Sequence, residues 1–132
     1  MIVADSDVLI DFLRGAEPVA GRMAIEIGTG RLCTTAMSAF EIRSGSRGRR
    51  QADAIERLLD ALQVLPIDHE AARRAAEVRC ALEKEGKPIG LADYLVAGVC
   101  LSLGAMLLTR NRREFGRVPG LSLAELSLAD DD

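Results

Sequence analysis

The sequence predicts an α/β fold: a central, mostly parallel sheet of four to five strands with helices on both of its faces. Short apolar runs typical of buried strands, such as residues 2–4 and 105–109, alternate along the chain with segments of helical periodicity. Strands separated by helices pair in parallel through right-handed crossovers. The chain has 132 residues, 48% of them hydrophobic. We therefore expect one domain, residues 1–132, with an ordinary core.

The order of the expected elements suits this fold. We expect strands at residues 2–4, 31–35, 64–67, 105–109 and, shorter, 121–123. We expect one helix to end at Arg14-Gly15, one to start at Pro18, one to open at Ser38, and three more at 52–63, 69–85 and 91–103. The helix over 91–103 is apolar on most sides, which indicates a central position. The acidic end, residues 129–132, is expected to fray.

Charge and composition argue against several classes of protein. The 17 basic and 20 acidic residues give a net charge of −3, unlike a generally basic nucleic-acid binder. There is no apolar run of about 18–20 residues and no basic leader, so we expect neither a membrane span nor a secretory signal. Cys33, Cys80 and Cys100 are far apart, which favours reduced, buried thiols in a cytoplasmic protein.

Polar residues stand where strands or loops lead into helices. Asp5 and Asp7 follow the first strand, Glu41 and Asp93 lie near the starts of two helices, and Thr109 begins the turn after a late strand. Each has an ordinary explanation: Asp5 or Asp7 as a helix cap, Glu41 as half of a capping box, Asp93 as a first-turn acid. Parallel sheets, however, gather the carboxyl ends of their strands at one edge, where ligands bind.

Acids gathered at that edge repel one another unless a cation lies between them. Oxygen ligands suit a hard ion, Mg²⁺ or Mn²⁺, and not zinc. The single histidine, His69, is best interpreted as a helix start after Asp68. Such ions lower the pKa of a bound water and stabilise charge on a phosphoryl group during displacement. The pattern therefore predicts phosphodiester hydrolysis by metal-activated water.

Two groups of arginines flank the acids. They are Arg43, Arg47, Arg49 and Arg50 after Glu41, and Arg110, Arg112, Arg113 and Arg117 after Thr109. A solvated surface explains them equally well, but a phosphodiester backbone needs positive charge beside an acidic pocket. The candidate substrate contacts are Arg43, Arg47, Thr109, Arg110 and Arg112.

Taken together, these motifs resemble the PIN-domain family, and within it the VapC toxins of bacterial and archaeal toxin–antitoxin pairs. The resemblance covers nearly the whole chain and rests on VADSDVLID at 3–11, SAFEI at 38–42, PIGLADYLVA at 88–97 and LLTRNRREF at 107–115. It implies a Rossmann-like α/β/α sandwich and a Mg²⁺- or Mn²⁺-dependent endoribonuclease acting on RNA. It also implies a VapB-type antitoxin that covers the site, a toxin homodimer and a toxin–antitoxin hetero-oligomer.

The resemblance assigns site residues by position. Asp5, Glu41 and Asp93 match the three most recurrent metal-binding acids of the family, and Asn111 stands where a fourth, usually Asp, is often found. These four are the expected catalytic residues, with Asp5 and Asp93 as direct metal ligands and Glu41 and Asn111 as ligands directly or through water.

Asn111 adds no charge to the site, so another acid has to compensate. Asp7 stands where the family often has Asn, and it is the expected source of that charge, directly or through water. Glu114 is the second choice. Removing the charge of Asp7 is therefore expected to weaken metal binding.

Two other functions stay open from the sequence alone. Asn111 suggests a catalytically weak or inactive protein of the same fold that only binds an antitoxin. A receiver-like signalling module also has acids at its first strand tip, with Asp68 as the phospho-acceptor. Such a module needs a lysine after its last strand, however, and the only lysines are Lys84 and Lys87.

Overall fold

A four-stranded parallel sheet lies at the centre of the chain. The computed structural model describes residues 1–127, so the end expected to fray, 129–132, lies outside it. The strands are β1 (Ile2–Ala4), β2 (Leu32–Thr35), β3 (Gln63–Leu65) and β4 (Met106–Leu108), in the order β3-β2-β1-β4. All three strand pairs are parallel. The α/β prediction is confirmed with four strands; the expected fifth contributes only one bridge, between Leu107 and Leu123.

Seven helices accompany the sheet within residues 1–127. They are α1 (Ser6–Leu13), α2 (Val19–Gly28), α3 (Ala36–Ser44), α4 (Gly48–Asp60), α5 (His69–Lys84), α6 (Leu91–Leu103) and α7 (Arg112–Phe115). The bounds of α6 are those expected from the sequence. The start of α3 was wrongly predicted, because Thr35 caps this helix by accepting the N–H of Ser38 at 3.0 Å. Glu41 therefore lies in the middle of α3 and belongs to no capping box.

The sheet separates two apolar clusters. Val3 and Leu107 belong to the cluster formed with α5 and α6, whereas Ile2, Ala4 and Leu108 belong to the cluster formed with α1, α2 and α4. Successive residues of a strand point to opposite faces, so a strand covered on both sides is apolar throughout. This is why the strands appear in the sequence as short apolar runs without alternation.

The three cysteines are free thiols, and they differ in burial. Cys33 and Cys100 are buried, as expected, but Cys80 is exposed on α5, so the expectation was wrong for that residue. Burial raises the pKa of Cys100 to about 12, which keeps it a neutral thiol at physiological pH. Within residues 1–127, no helix combines the length and the apolar character needed to cross a bilayer.

Helix α2 carries a buried carboxylate that is paired with two arginines. Glu26 is 1% exposed, and its two oxygens accept hydrogen bonds from Arg31 at 3.1 and 3.2 Å. Arg22, one turn earlier in α2, lies 3.6 Å from the same side chain. Because Arg31 leads into β2, this group of charges joins α2 to the sheet.

Helices α5 and α6 approach each other closely at Gly98. A Cβ at this position would lie 2.4 Å from the carbonyl oxygen of Ala71 and 2.8 Å from the Cβ of Ala75. Gly98→Ala should lower the free energy of unfolding by about 1–3 kcal/mol through overpacking, even though alanine is the better helix former. Gly28→Ala is the matched control, because a Cβ there meets nothing within 4 Å. Equal urea midpoints for the two variants would contradict the close contact.

Candidate functional site

The carboxyl ends of β1 and β4 are neighbours in the sheet and bring Asp5 and Thr109 together. The Thr109 hydroxyl donates to Oδ2 of Asp5 at 2.8 Å, and Oδ1 of Asp5 accepts the N–H of Ser6 at 2.9 Å. Asp5 is 6% exposed and Thr109 is fully buried. Asp5 is thus the cap of α1 and also the acid at the strand tip, so its two interpretations are compatible.

Two helices bring further acids toward Asp5. Glu41 comes from α3, which follows β2, and Asp93 comes from the first turn of α6. Burial raises the pKa of Asp93 to about 6, with further contributions from the charges of Asp5, Glu114 and Glu41. Burial also raises the pKa of Asp5; hydrogen bonds from Thr109 and Ser6 oppose this shift and the charge of Glu41 adds to it. The structure therefore brings the three expected acids into one electrostatically coupled cluster.

Glu114 is a fourth carboxylate in this cluster. It lies in α7, one turn after Asn111, and its charge contributes to the raised pKa of Asp93. Asn111 is half-buried before α7, and its backbone N–H donates to the Thr109 hydroxyl at 3.0 Å. From the sequence, Glu114 was only the second choice after Asp7. Positions three apart in a helix share a face, but a four-residue helix has too little periodicity to place Glu114 beside Asn111 with certainty.

Asp7 contacts the turn that follows β4. Its Oδ2 accepts the backbone N–H of Arg110 at 3.0 Å and lies 3.4 Å from the Thr109 hydroxyl. Its Oδ1 is buried and has no hydrogen-bond partner among residues 1–127. Burial, and next the charge of Asp5, raise the pKa of Asp7. Asp7 is thus near the cluster, but one of its oxygens is engaged by protein backbone.

The donors of this cluster fit a hard divalent cation. All are oxygens, from carboxylates and one amide. Burial first, and neighbouring carboxylates next, raise the pKa values of Asp5 and Asp93, and a cation bound there would favour their charged forms. As they stand, no three His, Cys, Asp or Glu side chains within residues 1–127 are close enough to hold one ion. The residues that could hold a metal are Asp5, Glu41, Asp93, Asn111 and Glu114, and also Asp7 through its unpaired Oδ1.

Three of the candidate substrate-binding arginines have protein partners. The pairs are Arg43 with Glu56 at 2.8 Å, Arg110 with Asp11 at 2.6 Å, and Arg112 with the carbonyl oxygen of Ala124 at 2.8 Å. The Arg43–Glu56 pair is exposed on both sides, so it contributes little and can open easily. Asp11, by contrast, is only 13% exposed.

A groove of about 450 Å³ leads away from Glu41 between α1, α3 and α4. Its apolar lining comes from Ile10, Leu13, Ile42 and Ile55, and its basic lining comes from Arg14, Arg47 and Arg50. Arg47 is thus the candidate arginine that borders both the groove and the acids. Sequence reasoning missed the groove and the contribution of Arg14, because separate helices form its walls.

The open parallel sheet and the oxygen donors at its carboxyl edge define an α/β protein with a candidate divalent-metal centre. The profile of one family, the PIN domain, matches residues 2–121. The chain belongs to the PIN-domain family, and the expected resemblance is confirmed. This membership removes the receiver-like alternative, and Asp68 serves as the N-cap of α5 by accepting the N–H of Ala71.

Relatives and solved structures share nearly the full length of the chain. A "tRNA(fMet)-specific endonuclease VapC" of Salmonella typhimurium is 30% identical over 108 residues, 79% of this chain and 82% of its own. The structure of VapBC-1 from nontypeable Haemophilus influenzae matches with a TM-score of 0.81 and 29% identity, over 96% of this chain and 98% of that one. A toxin–antitoxin complex from Klebsiella pneumoniae shares the fold, with a TM-score of 0.73 and 21% identity over 92% and 95% of the two chains.

Proposed function

We propose that this protein is a VapC-type toxin: a Mg²⁺- or Mn²⁺-dependent endoribonuclease restrained by a VapB-type antitoxin. The observation that carries the proposal is the convergence of Asp5, Glu41, Asp93 and Glu114 from four different elements on one edge of the sheet. Like charges are not gathered in this way for stability, because their repulsion costs free energy. A cation site for phosphate chemistry explains the arrangement.

Each residue of the cluster has a distinct part in this proposal. When bound, a divalent cation would activate water and offset charge on the phosphoryl oxygens. Asp5 and Asp93 would hold it directly, and Glu41, Asn111 and Glu114 directly or through water. Thr109 orients Asp5 through the hydrogen bond to Oδ2. Glu41 also lines the groove, so it is the carboxylate best placed to accept a proton from water attacking a substrate there.

RNA is the substrate that we propose. Arg47 and Arg50 line the groove near Glu41 and give an otherwise acidic site positive charge for the phosphodiester backbone. Arg43, Arg110 and Arg112 remain candidates for this role, although each has a protein partner. The name of the Salmonella relative supports a transfer RNA, and we place the activity in the cytoplasm.

The same groove suits an antitoxin segment. Its apolar lining fits the apolar face of a partner helix, and its arginines fit acidic side chains along the flank of that helix. A segment seated there would end beside Glu41 and keep RNA out. We further propose a toxin homodimer within a toxin–antitoxin hetero-oligomer; Phe40 and Leu91, which are 63% and 65% exposed, supply apolar surface for assembly.

RNA hydrolysis by the purified protein tests this function. With total transfer RNA and Mg²⁺ we expect new RNA ends, mapped by sequencing, that vanish with EDTA and return with excess Mn²⁺. Cleavage that persists undiminished in EDTA would contradict the metal requirement. Binding of the antitoxin from the adjacent reading frame, with no cleavage of any RNA in Mn²⁺, would favour the inactive, antitoxin-binding alternative.

A further inference from the structure

We propose that the ion pair between Asp11 and Arg110 is a clamp that fixes the start of α7, the helix that carries Glu114. Asp11 and Arg110 are then positioning residues, and the proposal removes Arg110 from the candidate phosphate contacts kept above. The proposal rests on the function proposed above insofar as Asp93 and Glu114 serve a metal. The clamp itself is a property of the metal-free fold and can be tested there.

Helix α1 holds Arg110 at two points. Asp7 and Asp11 lie one turn apart on α1, so their side chains lie on the same face of the helix. Oδ2 of Asp7 accepts the backbone N–H of Arg110 at 3.0 Å, and Oδ2 of Asp11 lies 2.6 Å from its Nε. One helix thus fixes both the backbone and the side chain of the same residue.

The position of Arg110 determines where α7 begins. Asn111 follows it directly, and α7 starts at Arg112 and carries Glu114 after one turn. A helix of four residues does not hold its own conformation, so its orientation depends on its attachments. The other attachments are the hydrogen bonds from Asn111 to Thr109 and from Arg112 to the Ala124 carbonyl oxygen, together with the fully buried side chain of Phe115 in the core.

The environment of the pair makes it stronger than an ordinary surface ion pair. Arg110 is 52% exposed, but Asp11 is only 13% exposed. Opening the pair would leave a mostly buried carboxylate without its partner, which is costly.

A double-mutant cycle with Asp11→Ala, Arg110→Ala and the double variant tests the clamp. In the metal-free protein we expect faster amide hydrogen exchange over residues 110–116 in each single variant. The Mn²⁺ affinity and kcat on RNA should each fall by about tenfold, the usual cost of losing a partner that orients a metal ligand, with KM within about twofold. The double variant should lose no more Mn²⁺ affinity, kcat or exchange protection than either single variant, because all three variants lack the same ion pair.

Two further variants separate positioning from general damage. Arg110→Lys retains the charge and should restore most of the kcat and the exchange protection lost in Arg110→Ala. Glu83→Ala breaks the exposed ion pair with Arg79 on α5 and should change none of these quantities.

Three results would overturn the clamp. They are an unchanged exchange pattern in Asp11→Ala, additive losses in the double variant, or an increased KM in Arg110→Ala that Asp11→Ala does not share. The last result would make Arg110 a phosphate ligand. The metal-dependent function fails separately, if the wild-type protein does not bind Mn²⁺. The hydrogen-exchange comparison of the metal-free variants would still test the clamp in that case.

Discussion

Asp93→Asn should reduce RNA cleavage at saturating Mg²⁺ by at least about a hundredfold, because loss of a direct ligand costs more than loss of a residue that merely orients one. The side chain keeps its size, so the circular dichroism spectrum should be unchanged. Asp60→Asn, on the exposed end of α4, is the matched control and should cleave normally. Cleavage by Asp93→Asn at the wild-type rate, in a preparation free of other nucleases, would show that Asp93 holds no metal.

The same substitution should stabilise the metal-free protein at pH 7.5. The pKa of Asp93 is raised from 3.8 to about 6 in the fold, so its ionisation above pH 6 opposes folding. Lowering the pH from about 6 to about 4 protonates the wild-type side chain and regains that stability. Thermal unfolding should therefore show a higher midpoint for Asp93→Asn at pH 7.5 and little difference at pH 4. A lower midpoint at pH 7.5 would contradict the cost of ionising Asp93 in this half-buried, acidic environment.

Glu114→Gln should weaken Mn²⁺ binding by about tenfold or more, since it removes a negative charge that acts on Asp93 and could contact the metal. Asp7→Asn should have a much smaller effect. The asparagine oxygen can still accept the N–H of Arg110, so the turn after β4 stays in place. Calorimetric titration at pH 7.5 measures both affinities. If Asp7→Asn were the more damaging change, Asp7 would be the acid that compensates for Asn111, as the sequence suggested.

The choice between Glu114 and Asp7 shows where sequence reasoning reaches its limit. The tip of a buried strand is visible in the sequence, so Asp5 and Thr109 could be assigned to one edge of the sheet. The apolar segment of α6 was equally clear from the sequence, and Asp93 could be assigned to its first turn. Glu114 depends instead on the orientation of α7, a single turn whose direction comes from tertiary contacts.

Errors in the local assignments have physical causes. Thr35 and Ser38 both carry hydroxyl groups that can cap a helix, and only the end of β2 decides that Thr35 does so. The segment 121–123 is apolar enough for a strand, but it pairs at one residue only. The partners of the arginines could not be predicted either, because an ion pair such as Arg110 with Asp11 joins distant parts of the chain.

Titration of Mn²⁺ into the metal-free wild-type protein at pH 7.5, followed by calorimetry, tests the central claim most directly. The claim is that the acids at the carboxyl edge of the sheet form a divalent-cation site. It predicts saturable binding in the wild type, weaker binding in Glu114→Gln, and no detectable binding in Asp93→Asn. Absence of binding at millimolar Mn²⁺ in correctly folded wild-type protein, or equal binding by Asp93→Asn, would contradict it.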